Sequence, residues 1–266
     1  MKNIYPLIFI SLLALALTSC NQRSTVQEEK VQMPTQETIE ETTIQNEDPL
    51  QETTISLVAE EVSDGDILNG PQIIETILDS ELSEIERTSL IYMREEEKLA
   101  RDVYLELYDT WGQQIFSNIA SSEQSHTDAV KTLLERYDIP DPVTDDVRWV
   151  FSSPVLQWLY NTLVAQWNLS LTDALIVGAT IEDLDIKDLQ DASAQIDNED
   201  ILLVYANLER GSRNHMRAFA KNLTNLWISY TPVYISQADY DAIITSDTER
   251  GGGSGTGSGM QKWKNR

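Results

Sequence analysis

Leu90-Ile91-Tyr92-Met93-Arg94-Glu95-Glu96-Glu97-Lys98-Leu99-Ala100-Arg101-Asp102-Val103-Tyr104-Leu105-Glu106-Leu107 has the period of one helical face. With Leu82 and Ile85 before it, the apolar positions Leu90, Met93, Leu99, Val103 and Leu107 recur mostly at three- and four-residue steps. The spacing predicts a helix over about 82–110, broken at Trp111-Gly112. Glu97, Ala100 and Tyr104 share one stripe of it, so Glu97 stands beside packed positions. The rest of the run Arg94-Glu95-Glu96-Glu97-Lys98 is expected to be a solvated face, as charge runs on helices usually are.

The same period continues outward. A second helix is expected over about 113–137, carrying Ile115, Ile119, Val130, Leu133 and Leu134. It should stop before Ile139-Pro140, because proline disfavours the helical region for the residue preceding it. A short helix from Pro154 to Trp167 interrupts a long connection. Ser170-Leu171-Thr172-Asp173 has the form of a helix N-cap and opens a helix over about 171–192. Asp197 or Asn198 caps a last one, about 199–226. Alternating strands are lacking. Four long helices with one long link from about Asp138 to Leu169 predict an all-α bundle in which the second and third long helices run parallel.

The ends differ in composition. Met1-Lys2-Asn3 precedes an apolar run from Ile4 to Leu17, too short for a comfortable membrane span and suited to a signal peptide over 1–19. Leu17-Thr18-Ser19-Cys20 resembles the bacterial lipobox, which implies lipidation of Cys20 and a membrane-anchored lipoprotein in the cell envelope. Residues 20–80 are rich in Gln, Glu and Thr without a period, and are expected to be a disordered acidic tether. The folded domain is expected over 81–228, and a C-terminal extension over 229–266. That extension ends in Gly251–Gly259 and a basic tip around Trp263. The net charge of −25 argues against a nucleic-acid partner. With one Cys in 266 residues, neither an intramolecular disulfide nor a Cys-based zinc or rubredoxin-type centre can form, so a metal site must use Glu, Asp and His.

Such residues fall one group to a helix. Glu123-Gln124-Ser125-His126 puts a carboxylate and an imidazole on one face at a spacing of three. Glu182 and Asp185 repeat that spacing on the third long helix, and His215, the second of only two histidines, lies on the fourth. Glu97, Glu123, His126, Glu182, Asp185 and His215 are therefore the candidate metal ligands, with Tyr104 beside them. Carboxylates and imidazoles at this spacing suit one or two hard or borderline cations, and the resemblance given next implies iron.

Glu97-x-x-Ala100-x-x-x-Tyr104 followed by Glu123-x-x-His126 resembles the first half of a rubrerythrin-type di-iron site. The longer text from Arg94 to Tyr104 with Ser122–His126 is similar to the DUF2202 family of bacteria and archaea. Further motifs carry the same resemblance: Leu156-Gln157-x-Leu159-Tyr160, Gly178-Ala179-x-Ile181-Glu182-x-x-Asp185-Ile186 and Gly211-Ser212-Arg213-Asn214-His215. The resemblance covers about residues 85–228 and implies a ferritin-like fold. The second half departs from a symmetric di-iron pattern, since Ser212 stands three before His215 where a Glu is expected, and Glu209 points to another face. Asp185 is a candidate replacement, and Arg213 and Asn214 are candidates for orienting the acids.

Three functions follow as expectations. The first is a non-haem metal oxidoreductase or ferroxidase, with an outside electron donor or ferrous iron as its partner. The second is a metal-binding or storage module without turnover. The third is a structural lipoprotein whose acid–His cluster is a buried polar network. Assembly into a homo-oligomer is open to each of them.

Overall fold

The computed structural model describes residues 81–167 and 169–250. The expected signal peptide, Cys20, the tether and the Gly-rich tail lie outside these residues. The described chain is all-α: α1 Glu84–Trp111, α2 Gln114–Arg136, α3 Pro154–Trp167, α4 Leu171–Ser193, α5 Glu199–Asn225 and α6 Gln237–Thr245, with no strand among the described residues. The five helices expected from periodicity fall within two residues of their expected ends. The short α6 has no counterpart in the sequence reading. No helix of the described residues is long and apolar enough to cross a membrane.

The helix ends follow local chemistry. Ser83 and Glu86 form a capping box, in which Ser83 Oγ accepts from the Glu86 amide at 3.2 Å and Glu86 Oε2 accepts from the Ser83 amide at 2.9 Å. Gly112 ends α1 at φ +63°, the left-handed conformation that glycine reaches without a Cβ penalty, and donates to Tyr108 O at 2.8 Å. Ser170 caps α4 by accepting from the Asp173 amide at 3.1 Å. Asn198 occupies the N-cap of α5, yet its side chain makes no cap bond. Glu86 Oε1, reaching over from α1, accepts from the Asp197 and Asn198 amides at 3.2 and 3.1 Å instead. The carboxylate that caps α1 thus also fastens the start of α5.

Contacts between helices set their directions. Tyr104 of α1 meets Gly178 and Glu182 of α4, while Tyr92, nearer the start of α1, meets Asp188, nearer the end of α4. These helices are antiparallel. Ser122 of α2 meets His215 of α5, and Tyr137, just past α2, meets Asp200 at the start of α5, so this pair is antiparallel as well. With α1 and α2 joined tightly through Gly112, α2 and α4 must run parallel, as the long connection predicted. One apolar layer joins Leu90, Met93, Leu133, Leu134, Ile201 and Tyr205 at one end of the bundle. Phe116, Phe219 and Tyr104 fill the other, with Tyr104 and Phe219 stacked at 5.6 Å. The polar candidates lie between these layers.

The structure corrects the expected solvated face. Arg94, Glu95, Glu96, Lys98, Arg101 and Asp102 are all at most 5% exposed. The connection 138–153 lies over them and takes up their charges. Arg94 pairs with Asp141 at 3.0 Å, Lys98 with Asp102 at 2.6 Å, and Arg101 with Asp102 at 2.8 Å and Asp146 at 2.6 Å. Lys98 also donates to Val147 O at 2.8 Å. Glu95 accepts from the Ser152 amide and, at 2.9 Å, from the Ser153 amide, just ahead of α3. Long-range partners won over local pattern, because a connection buried on a helix needs its backbone groups satisfied.

The packed unit also continues past residue 228. Asp183, buried in α4, accepts from the Tyr230 hydroxyl at 2.9 Å and from the amides of Val233, Tyr234 and Ile235. Tyr230, Ile235, Tyr240 and Ile243 are buried behind that anchor. Gly178 marks the tightest approach between α4 and α5: a Cβ there would lie 2.4 Å from the Phe219 ring. Gly178→Ala is expected to destabilise the protein by about 1–3 kcal/mol through overpacking, read as a lowered denaturant midpoint with an unchanged slope.

Candidate metal centre

Glu97 from α1, Glu123 and His126 from α2, Glu182 from α4 and His215 from α5 converge in the middle of the bundle, each at most 2% exposed. They form two groups, Glu97–Glu123–His126 and Glu123–Glu182–His215, and within each the ligand atoms lie within 4.8 Å of one another. Glu123 belongs to both. Its Oε2 is 2.7 Å from His126 Nδ1 and its Oε1 is 2.9 Å from His215 Nδ1. His126 Nδ1 is also 3.3 Å from Glu97 Oε2, and His215 Nδ1 is 3.3 Å from Glu182 Oε2. The two imidazoles stack at 5.6 Å. One carboxylate between two imidazoles, with a further carboxylate behind each, offers two overlapping donor sets that could hold a metal ion.

The surrounding groups hold these side chains in place. Ser122 Oγ is 2.8 Å from His215 Nε2, which leaves Nδ1 turned toward the acids. The Tyr104 hydroxyl donates to Glu182 Oε1 and, at 3.2 Å, to Gly178 O. Glu97 Oε1, His126 Nε2, Glu182 Oε2 and His215 Nδ1 are buried without a hydrogen-bond partner. The short approach of His215 Nδ1 to two carboxylate oxygens thus lacks hydrogen-bond alignment, which fits donors directed at a shared cation. Buried polar atoms are ordinarily satisfied, so a cluster of unsatisfied ones at ligand spacing supports a metal there.

The buried acids and imidazoles shift one another strongly. Burial raises Glu97 from its ordinary 4.5 to about 7, against the pull of His126. Burial likewise raises Glu182, opposed by His215. Burial would raise Glu123 too, but His126 and His215 together hold it well below the usual carboxylate range. Burial lowers both imidazoles, and their carboxylate neighbours outweigh it and carry each well above its ordinary value. Burial, with Glu182 adding to it, keeps the Tyr104 hydroxyl protonated as a donor.

These residues lie inside a recognisable family. The chain matches the family described as "Uncharacterized protein domain (DUF2202)" over residues 86–247. The chain belongs to the DUF2202 family. It is 58% identical over 180 residues to the uncharacterized protein MJ0754 of Methanocaldococcus jannaschii, covering 68% of this chain and 97% of that protein. The crystal structure of hypothetical protein MJ0754 superposes with a TM-score of 0.65, covering 65% of this chain and 99% of the other.

In this DUF2202 chain the remaining expected residues fall elsewhere. Asp185 is buried beside the centre but stands in neither ligand group. It takes a hydrogen bond from Ser212 Oγ through Oδ2, while its Oδ1 has no partner. The serine in place of the expected Glu therefore orients the carboxylate across from it. Arg213 and Asn214 do not orient the central acids. Arg213 pairs with Glu209 at 2.7 Å and Glu249 at 2.6 Å, and Asn214 donates to Glu249 O, so both hold the C-terminal segment. The sequence reading missed Ser122, Glu96 and Asp188. Glu96 lies at helical spacing after Tyr92 and before Leu99 and Val103, and Asp188 continues the Glu182–Asp185 step, so spacing alone could have flagged both.

A pH dependence follows from these shifts. Glu97 is raised from 4.5 to about 7 and Asp188 from 3.8 to about 6, so both bind protons more tightly folded than unfolded. Their contribution to stability is full below pH about 4 and is lost as pH rises to about 7. The raised histidines extend the loss upward. The lowered carboxylates, Glu86 and Glu123, act with the opposite sign, below about pH 4.5. Thermal melts of metal-free protein should therefore fall between pH 5 and 7.5, and bound divalent metal should flatten or reverse that slope.

Proposed function

We propose that the bundle is ferritin-like and holds a dinuclear non-haem metal centre, iron favoured, that serves an oxidoreductase or ferroxidase reaction. The observation that carries this reading is Glu123 placed between His126 and His215, with one oxygen toward each imidazole. Glu97 and His126 would hold one ion, Glu182 and His215 the other, and Glu123 both. Iron bound there would supply the electrons for reduction of oxygen or peroxide. The chain's own part is to exclude water and keep the ligands aligned. The apolar layers above and below the acids exclude bulk solvent. Tyr104 holds Glu182, and Ser122 holds His215 by the nitrogen away from the acids. The described residues contain no cysteine, so electrons must come from an outside donor or from ferrous iron as substrate.

We also infer, from residues 4–20 alone, that the domain is carried on lipidated Cys20 at the cell envelope. Palmitate labelling that persists in Cys20→Ala overturns this.

Metal quantitation on full-length protein purified without chelator tests the central reading. The expected result is two irons per chain, corresponding to the two ligand groups. Protein that stays metal-free after anaerobic addition of ferrous iron overturns it. Oxygen uptake on adding ferrous iron marks turnover, and tight binding without uptake marks a storage module. Ser122→Ala is expected to weaken metal affinity about 10–100-fold, since it removes the group that orients a ligand. Affinity should fall as pH drops below about 7, where Glu97 takes up a proton. Calorimetry in buffers of different ionisation enthalpy will report the proton release on binding.

A further inference from the structure

A second set of acids lies beside the centre, between α1 and α4. Tyr92 and Glu96 lie one turn apart on the face of α1 that meets Asp188 of α4, so the Glu96 and Asp188 carboxyl groups are brought together between the two helices. Glu96 is 5% exposed, and no N–H or O–H of the described residues donates to either of its oxygens. Asp185 is 6% exposed and lies one helical turn back along α4, with Oδ1 also unpartnered. Tyr92, half-buried at the rim, donates to Asp188 Oδ2 at 3.4 Å.

The nearby cations are turned elsewhere. Arg94 and Lys98, on either side of Glu96 in sequence, pair with Asp141 and Asp102. Lys187, next to Asp188, pairs with Asp191 on the exposed face of α4. Facing carboxylates without a donor need something positive between them, either a shared proton or a metal ion. The all-oxygen donor set, with a phenol at its edge, suits a hard divalent cation.

We propose that Glu96 and Asp188 hold a third divalent cation between α1 and α4, with Asp185 standing between that pair and the centre rather than as a ligand. Asp188, Asp185 and Glu182 follow one another at three-residue steps along α4, and Glu96 adjoins Glu97 on α1. The acids therefore run from the rim at Tyr92 to the dinuclear centre. An ion bound at the rim site is placed to be passed inward. That delivery role rests on the metal-centre reading, whereas the binding site does not.

The test is a Mn2+ titration of full-length, metal-free protein followed by electron paramagnetic resonance. Three proteins are compared: wild type, the double variant Glu96→Gln/Asp188→Asn, and the double variant His126→Ala/His215→Ala. Relative to wild type, the first variant should lose one Mn2+ per chain, the weaker one, and keep the rest. The histidine variant should keep that weaker ion and lose tighter ones. If the Glu96→Gln/Asp188→Asn protein binds as many Mn2+ as wild type with the same affinity, a proton alone joins the acids and the proposal fails. If instead the histidine variant shows no loss, the dinuclear reading fails and this one stands. Should a variant not fold, anomalous scattering from Mn2+-soaked wild-type crystals decides. A peak between Glu96 and Asp188 supports the site. Its absence, with the centre filled, overturns it.

Discussion

Buried negative charge is the constraint around which the bundle is organised. Glu96, Glu97, Glu123, Glu182, Asp185 and Asp188 are each at most 6% exposed and crowd the facing sides of three helices. A buried carboxylate is unfavourable by several kcal/mol unless it is neutralised or paired. The chain buries cations within a turn of these acids, at Arg94, Lys98 and Arg101, yet turns all three outward to the 138–153 connection. Within the centre, the positive partners that reach the acids are the two imidazoles. Without a metal these acids must be balanced by protons, which a divalent cation bound there would replace.

That arrangement explains the division of labour along α1. On one side its charges fasten the crossover, through Arg94 to Asp141, Glu95 to the start of α3, Lys98 to Val147 O and Arg101 to Asp146. On the other side Glu96 and Glu97 face α2 and α4. The crossover is what lets α2 and α4 run parallel, and so brings Glu123 and Glu182 to the same nitrogen of His215. The same division recurs in α4, where Glu182 turns into the centre and the adjacent Asp183 turns out to anchor residues 230–235. Neighbouring acids in the sequence serve different ends because successive helical positions lie about 100° apart.

Membership in the DUF2202 family and the superposition on the M. jannaschii structure agree with the fold and name no activity. Function therefore has to be argued from the site. The position of Glu123 between the two imidazoles and the unpartnered ligand atoms are the properties of the geometry that support a metal.

The sequence by itself determined the helices, most of their ends and the pairing of candidate ligands at three-residue spacing. Those depend on local period, capping and short-range geometry, and Glu123 and His126 were legible for that reason. Tertiary structure decided what the local pattern could not. The charge run at 94–98 looked solvated, because nothing nearby in sequence shows that a connection some 40 residues later covers it. Asp185 looked like a ligand at the right spacing, but Ser212 on another helix draws one oxygen aside. Glu96 looked like a surface acid until the packing of α1 on α4 brought it to Asp188. In each case the deciding partner lies far along the chain, and only the packing of one helix on another reveals it.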